Sequence, residues 1–255
     1  MSALLQRGSE QRPSDSGEGQ AGDAKKFCGR PCVSLGSRLL LCASMVRPFS
    51  KVADIGTDHA YLPIYLVQNG IICSAIAADI REKPLKTADT NIEHFVGRNK
   101  IITRLSNGLE GILPTEADDI IIAGMGGKNI INIIENAPWV KDKKKHLILQ
   151  PMTSEPELRV FLSNEGFSVI KEKAAEEDRH IYTAMLVSFN PQNTAKGELF
   201  PYIGAIKPDT HENREYISKQ LHRLKKRAEG LRISGKKREA KNIDGLISEI
   251  QNIIN

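Results

Sequence analysis

The chain has 255 residues, of which 40% are hydrophobic, and a formal net charge of +5. This length and apolar content fit one domain of average size with an appendage, and the net charge favours a polyanionic partner. The sequence contains no apolar run near the roughly 18 residues that a membrane-spanning helix needs. The spacing of the four cysteines matches neither a metal site nor a disulfide framework, so we predict a reduced, cytoplasmic protein without metal or membrane partners.

Residues 1–33 differ in composition from the rest of the chain. They are rich in Gly, Ser, Gln and charged residues and lack hydrophobic periodicity. We interpret them as a disordered or non-native extension. A transit peptide is the alternative, and the acidic residues of this segment argue against it.

From residue 37 onward, predicted helices and strands alternate. Ser37 is the expected N-cap of the first helix. Strands are expected at residues 51–56, 73–80, 100–106, 118–127 and 146–151, helices at 37–46, 60–70, 83–97, 128–140 and 155–167, and a closing strand pair at 168–178 and 180–189. This order predicts an α/β domain over residues 34–190, with a seven-stranded mixed sheet between helices.

The pattern changes in the last part of the chain, residues 191–255. Residues 190–209 resemble a linker. Apolar residues then recur at spacings of three and four from Ile217 to Leu231 and again from Ile243 to Ile254, with a Gly-containing break between the two sets. This periodicity predicts an antiparallel, coiled-coil hairpin of two helices.

Positive charge is concentrated on this predicted hairpin. Residues 207–241 hold 12 Lys and Arg against 5 Asp and Glu, a charge of +7, which leaves −2 for the rest of the chain. A charged helix face can be merely solvated. Because this segment carries more than the whole net charge, we predict instead that it contacts phosphates, with Lys225, Arg227 and Lys237 as candidate binding residues.

Polar residues and glycines stand where the predicted parallel strands end, which is where ligands bind in such sheets. Asp79, at the end of the second strand, suits the two hydroxyls of a ribose. Asn107 and Gly108 follow the third strand, where an adenine edge can be contacted. The full set of candidate cofactor-binding residues is Asp54, Gly56, Asp58, Asp79, Asn107, Gly108, Gly124, Met125 and Gly126.

The turn after the first strand, ADIGTDHAYLP at residues 53–63, differs from a dinucleotide-binding loop. Loops that bind a pyrophosphate place glycine where the chain passes the phosphates, and Asp58 stands at such a position. A carboxylate repels a pyrophosphate but tolerates a sulfonium group. We therefore predict S-adenosylmethionine, rather than a nicotinamide dinucleotide, as the cofactor.

Five motifs occur in a characteristic order: DIGTDHAYLP, ADI followed by PL…A…N, NGLE, IAGMGG and LILQP. Together they resemble the TrmK family, bacterial methyltransferases that modify N1 of adenine 22 in tRNA. The resemblance runs from about Leu35 to the C-terminus, is looser over the helical tail, and does not include residues 1–29. It implies a Rossmann-like class I S-adenosylmethionine-dependent methyltransferase fold, with tRNA as the partner of the basic hairpin.

The resemblance also implies roles for individual residues. Arg38 and His59 border the mouth of the site and are candidates for substrate binding, and the loop from Gly124 to Gly127 faces the transferable methyl group. Asp58 is the candidate catalytic residue, because a carboxylate beside adenine stabilises the positive charge that N1 methylation creates and can accept a proton from N6. The alternatives are that Asp58 caps the next helix and that His59 is structural.

We therefore predict an S-adenosylmethionine-dependent tRNA methyltransferase that acts as a monomer or weak dimer. A methyltransferase with another RNA or small-molecule acceptor is one alternative. A non-catalytic RNA-binding protein is another, and the intact acids at 54, 58 and 79 argue against it. A nicotinamide-dependent oxidoreductase is disfavoured because no G-x-G-x-x-G run is present.

Overall fold

The structure is a computed structural model that describes residues 29–97, 99–194 and 197–254. The predicted N-terminal extension falls mostly on residues 1–28, which lie outside the described ranges. Within those ranges, every helix is too short or too polar to span a bilayer. The same residues include no group of three or more His, Cys, Asp or Glu side chains placed to hold a metal ion.

Seven strands form one sheet, with helices on both of its faces. The strands are β1 (Lys51–Ile55), β2 (Ser74–Asp79), β3 (Ile101–Leu105), β4 (Asp119–Gly126), β5 (His146–Thr153), β6 (Phe167–Glu177) and β7 (His180–Phe189). The helices are α1 (Ser37–Ala43), α2 (Tyr61–Gln68), α3 (Glu82–Phe95), α4 (Gly127–Glu135), α5 (Glu155–Asn164), α6 (Phe200–Ile203), α7 (His211–Ile233) and α8 (Lys237–Ile254).

The strand order is β3-β2-β1-β4-β5-β7-β6. Strands β1 to β5 are parallel to one another, and β7 is antiparallel to both β5 and β6. This is the mixed α/β sheet that the alternation of elements predicted. Because the carboxyl ends of β1 to β5 all point to one edge, the residues that follow these strands are brought together there.

Two apolar cores cover the two faces of the sheet. Ile121 of β4 packs with α1, α2 and α3 on one face. Its neighbours Ile120 and Ile122 pack with α4 and α5 on the other face. Successive side chains of a strand point to opposite faces, so the uninterrupted apolar run in β4 follows from its being covered on both sides.

Helix α1 begins differently from the prediction. Its N-cap is Gly36, which has no side chain, and Ser37 is already the first helical residue, so the predicted Ser37 cap is wrong. The carboxylate of Glu177, at the end of β6, accepts a hydrogen bond from the backbone N–H of Arg38 (3.0 Å) instead. A group 139 residues away thus satisfies the helix terminus.

Helices α7 and α8 form the predicted antiparallel hairpin. Its seam contains Ile217, Leu224 and Ala228 from α7 and Ile243 and Ile250 from α8. An ion pair between Arg232 of α7 and Asp244 of α8 joins the two helices. The hairpin packs on β6, where Ala174 belongs to the same apolar cluster.

The segment that we expected to be a linker is folded against the sheet. It contains α6, and its residues Ile203 and Ile206 are buried. A Cβ atom at Gly204, where φ is +60°, would overlap the carboxylate of Glu172. The described part of this segment, residues 190–194 and 197–209, therefore includes a close contact with β6 that needs glycine.

A buried ion pair lies beneath this segment. Arg159 of α5 donates to Oε1 of Glu172 at 2.7 and 3.0 Å, and both side chains are fully buried. Arg159 also donates to the Tyr216 hydroxyl of α7 (2.8 Å) and to two backbone carbonyls near α6. The other oxygen of Glu172 accepts from the backbone N–H of Ala205 (2.9 Å). This network joins α5, β6, α6 and α7, and we call it the anchor.

Candidate active site

A cavity of about 810 Å³ opens at the carboxyl ends of β1 to β4. This volume lies within the range of small-molecule sites. Every predicted cofactor-binding residue lines the cavity except Gly126, and Arg38 and His59 line it as well. Gly126 pairs with Thr153 of β5 in the sheet. The parallel topology therefore gathers eight of the nine candidates, which come from four separate motifs, around one space.

Asp54 lies at the floor of this cavity, at the tip of β1. Its side chain is 6% exposed and accepts a hydrogen bond from the Thr57 hydroxyl (2.6 Å). Burial raises the pKa of Asp54 to about 6, and the neighbouring charge of Asp79 acts in the same direction, against the Thr57 hydrogen bond. Asp54 is therefore a buried acid for which a cationic or hydrogen-donating ligand is a favourable partner.

Asp79 lies next to Asp54, on the adjacent strand. It is 5% exposed, and its Oδ1 accepts from the backbone N–H of Arg81 (2.8 Å), with the Arg81 side chain at 3.4 Å. No hydrogen bond from a described residue to Oδ2 accompanies these. Gly56, with φ of +77°, turns the chain between β1 and α2 beside these two acids. Two acidic side chains side by side suit hydroxyl and ammonium donors and disfavour phosphates.

Asp58 and His59 lie at the mouth of the cavity. Oδ2 of Asp58 is 3.0 Å from Nε2 of His59, and the two side chains are 67% and 44% exposed. The N-cap of α2 is Ala60, and the helix has no side-chain cap. No described backbone N–H of α2 donates a hydrogen bond to the Asp58 carboxylate, so the alternative that Asp58 caps this helix is wrong. Asp58 lines the cavity, and its carboxylate contacts His59.

His59 is held in place through its backbone. The Asn91 amide of α3 donates to its carbonyl (2.9 Å), and its ring lies 5.5 Å from the ring of Tyr61. The Nδ1 atom is buried and has no hydrogen-bond partner among the described residues. The imidazole thus orients the Asp58 carboxylate through Nε2, while its second nitrogen remains without a described partner.

The far wall of the cavity is formed after β3 and by α4. The Asn107 amide donates to Glu110 (2.7 Å), which holds the turn in place, and Gly108 has a φ of +57°. Asn129 and Asn132 of α4 line the same wall. Sequence reasoning missed these two asparagines, although their spacing of three on a helix places them on one face.

The end of β4 and the start of α4 approach the first turn and the residue that follows β5. The Met125 side chain covers Gly56 so closely that a Cβ there would overlap its methyl group. A Cβ at Gly127 would lie 2.6 Å from the Ser154 carbonyl oxygen. Glycine at 127 thus permits a backbone approach that any side chain would prevent, whereas at 56 it is the φ of +77° that favours glycine, because the flexible end of Met125 can move.

Arg38 closes the cavity on the side of β5. Its guanidinium donates to Oε1 of Gln150 (2.7 Å), and the same oxygen accepts from the backbone N–H of Gly124 (3.0 Å). Its Nε is 3.7 Å from Glu177, and its guanidinium carbon is 5.8 Å from the centre of the Tyr182 ring. Gln150, Glu177 and Tyr182 were not among the predicted site residues. Gln150 is visible in the LILQP motif, whereas the other two belong to no motif.

Comparison with known proteins identifies the family. A family model described as a methyltransferase domain matches residues 35–185. The tRNA (adenine(22)-N(1))-methyltransferase of Bacillus subtilis (strain 168) is 37% identical over 163 residues, which are 64% of this chain and 68% of that protein. The crystal structure of the B. subtilis m1A22 tRNA methyltransferase TrmK covers 88% of this chain and 100% of its own, with a TM-score of 0.76 and 28% identity.

The chain belongs to the TrmK family of methyltransferases. A further member, M. capricolum TrmK in complex with S-adenosyl-homocysteine, is 31% identical, covers 86% of this chain and 97% of its own, and has a TM-score of 0.69. The resemblance and the fold class that the sequence predicted are thereby confirmed.

In this TrmK family member, the predicted tRNA-binding cations lie apart from the cavity. Lys225 and Arg227 are exposed on α7, and Lys237 is exposed at the start of α8. None of the three lines the cavity. Arg227 lies 3.3 Å from the Tyr202 hydroxyl. The predicted site residues thus form two groups, one in the cavity and one on the basic hairpin.

Proposed function

We propose that this protein transfers a methyl group from S-adenosylmethionine to N1 of adenine 22 in tRNA. The observation that carries the proposal is the cavity at the strand ends, whose floor consists of the two buried acids Asp54 and Asp79. It occurs in a member of a family that includes a tRNA (adenine(22)-N(1))-methyltransferase and a protein bound to S-adenosyl-homocysteine.

The residues of the cavity fit S-adenosylmethionine. Asp79 has one oxygen held by the Arg81 backbone and is placed to accept from the ribose hydroxyls through the other. Asp54 is buried without a described cationic partner and suits a ligand that carries an ammonium and a sulfonium group. Asn107 and Gly108 line the wall that would hold the adenine ring. The cofactor supplies the methyl group and leaves as a neutral thioether.

The acceptor needs little activation. Neutral adenine carries a lone pair at N1, so the protein has to align N1 with the methyl carbon and exclude water. Methylation then places positive charge on the adenine ring. Asp58, at the cavity mouth, is positioned to stabilise that charge or to accept a proton from N6. The contact of 3.0 Å with His59 restricts the direction in which the carboxylate points.

The basic hairpin supplies the affinity for tRNA in this proposal. Residues 207–241 carry +7, whereas the rest of the chain carries −2. Exposed cations outside the apolar seam can contact phosphates, and such contacts make binding depend on salt. A paired or stacked adenine must leave its helix before it enters a cavity of this kind. The proposal therefore includes a hairpin that holds the tRNA while the base is presented.

The anchor determines which experiment can separate binding from chemistry. Removal of residues 191–255 would expose Glu172, Arg159 and the apolar surface around Ala174. A truncated protein would then lose stability as well as tRNA affinity, so its activity would not report on the hairpin alone. Variants of the full chain are therefore preferable to truncation.

Methylation of unmodified tRNA transcripts tests the proposal. The full chain is incubated with labelled S-adenosylmethionine and a transcript that has adenine at position 22, and the modified base is mapped. We expect 1-methyladenosine at position 22 and no product with a matched transcript that has guanine there. Product on a different base or a small molecule would support another acceptor. Cofactor binding without transfer to any RNA would support a non-catalytic role.

The role of Asp58 is tested in the same assay. Asp58→Ala should lower turnover by about 100-fold, the lower end of the range for general acid–base groups, and leave the dissociation constant of S-adenosylmethionine nearly unchanged. Asp142→Ala, at an exposed position outside the cavity, is the matched control. A variant at residue 58 that turns over normally would remove Asp58 from the mechanism.

A further inference from the structure

The tip of the β6–β7 hairpin projects over the edge of the sheet that carries the cavity. β5 pairs with β7 only as far as Leu149 and Met185, whereas β6 and β7 remain paired up to Glu177 and His180. Residues 178 and 179, both with positive φ, make the connecting turn. Residues 180–184 of β7 therefore extend beyond the part of β7 that pairs with β5.

The two faces of this tip contact different parts of the molecule. On one face, Ala174 and Ile181 pack in the apolar cluster of the basic helical hairpin. On the other face, Glu177 contacts the backbone and side chain of Arg38, and Tyr182 lies beside the Arg38 guanidinium. The tip thus lies between the surface that would hold tRNA and the mouth of the cavity.

Three planar side chains form a row on the cavity side of the tip, and we call them the planar row: His180, Tyr182 and Arg38. The rings of His180 and Tyr182 are 6.2 Å apart with their planes inclined by 29°. The Arg38 guanidinium carbon is 5.8 Å from the Tyr182 ring centre. His180 is exposed, Tyr182 is partly buried and Arg38 lines the cavity. The row therefore leads from solvent to the candidate active site.

The surroundings of Arg38 favour stacking over phosphate binding. Glu177 lies 3.7 Å from its Nε and offsets its charge, and Gln150 occupies Nη1. Gln150 is buried and fixed by the Gly124 backbone, so the plane of the guanidinium is held in one orientation. Proteins recognise unpaired bases by stacking them on aromatic rings and guanidinium planes. Glu177 and Gln150 are positioning residues in this arrangement.

We propose that the planar row stacks the unpaired tRNA base next to the target adenine as that adenine enters the cavity. This inference rests on the proposed function, because it takes tRNA as the ligand. It assigns the β6–β7 tip as a second RNA-contacting surface, separate from the basic helical hairpin. The tip contributes through stacking of bases, whereas the hairpin contributes through charge.

Substitutions at Tyr182 distinguish stacking from a structural role. Tyr182→Phe keeps the ring and should bind tRNA as the wild type does. Tyr182→Leu keeps apolar volume without a ring and should weaken tRNA binding about 10-fold, the effect expected when one base is no longer stacked. His180→Ala, at an exposed position, should weaken it in the same direction. Binding is measured by fluorescence anisotropy with labelled tRNA, and cofactor affinity is measured in parallel and should not change.

Phe49→Ala is the matched control, because Phe49 is 75% exposed and lies just before β1, at the opposite edge of the sheet. It should leave tRNA affinity unchanged. Equal tRNA affinity for the Leu and Phe variants at residue 182, together with an unaffected His180→Ala variant, would overturn the inference. Because the readout is tRNA affinity, failure of the inference is separate from failure of the proposed function, which is decided by methylation of the wild type.

Discussion

The cavity floor and the anchor both bury ionisable groups, but they satisfy them in opposite ways. Asp54 and Asp79 lie side by side in the cavity, and Asp54 has the Thr57 hydroxyl as its described side-chain donor. In the anchor, Glu172 receives three hydrogen bonds from Arg159 and the Ala205 backbone. The first arrangement is incomplete and open to a ligand, whereas the second is complete within the protein.

The pKa shifts express the same contrast. Burial raises the pKa of Asp54 to about 6, and the neighbouring Asp79 adds to the rise. In the anchor, burial raises the pKa of the Tyr216 hydroxyl to about 12, and the nearby Glu172 keeps the pKa of Arg159 above its usual range despite burial. Buried charge alone therefore does not indicate a binding site. A buried charge that lacks a partner within the protein indicates a binding site.

The largest expected effect is on stability, at the anchor. Arg159→Met leaves the Glu172 carboxylate buried without its partner, and such changes lower the free energy of unfolding by about 3–5 kcal/mol. Urea denaturation measures it. Lys141→Met removes an ion pair of equal length, 2.7 Å, whose partners are 39% and 42% exposed, and should lower the free energy by less than about 1 kcal/mol. Equal effects would mean that burial does not distinguish the two pairs.

At the cavity floor, removal of a charge should stabilise the unliganded protein. A folded-state pKa of about 6 lies above the ordinary value of 3.8, so ionisation of Asp54 opposes folding as the pH rises from about 4 through 6. Asp54→Asn should therefore raise the free energy of unfolding by up to about 3 kcal/mol at pH 8 and by almost nothing at about pH 3.5. Urea denaturation at several pH values measures this difference. A gain that is constant with pH would contradict the assigned cause.

The same variant should bind S-adenosylmethionine more weakly, because its charge is removed. Asp54 would then lower the stability of the unliganded protein and raise its affinity for the ligand. Arg159, in contrast, raises stability. If Asp54→Asn were less stable than the wild type at pH 8, Asp54 would be a structural residue like Glu172, and the contrast between the two regions would not hold.

Removal of the second acid should affect binding rather than stability. Asp79→Ala eliminates the acceptor proposed for the ribose hydroxyls and should weaken S-adenosylmethionine binding by about 1.5–3 kcal/mol, the range for hydrogen bonds to charged groups. Titration calorimetry measures the change. Asp142→Ala again serves as the control. An unchanged affinity in Asp79→Ala would place the ribose elsewhere.

The smallest effect per residue is expected on the exposed hairpin, where salt screens each cation. Replacement of Lys225, Arg227 and Lys237 by Gln should reduce the slope of log affinity for tRNA against log salt by about one for each phosphate that the variant no longer binds. A double variant of Lys143 and Lys144, exposed on the α/β domain, is the control. An unchanged slope in the triple variant would show that these cations do not meet the RNA backbone.

The sequence alone was sufficient to predict the sheet and most of the residues that line the cavity. Strands that alternate with helices form parallel sheets, and parallel strands end at one edge. Asp54, Asp79, Asn107 and Gly124 could therefore be assigned to one site from the motifs that end their strands. The hairpin was predictable for a similar reason, because its apolar period of three and four residues is a local pattern.

Only the tertiary structure revealed the contacts that complete each region. Glu177 caps α1 and holds Arg38 across 139 residues of sequence, and Arg159 reaches Tyr216 across 57. These residues follow no period and stand in ordinary strands and helices, so nothing local distinguishes them from solvated charges. The β6–β7 hairpin brings Glu177 to Arg38, and the packing of α6 and α7 on β6 brings Arg159 to Tyr216. Both arrangements exist only after the chain has folded.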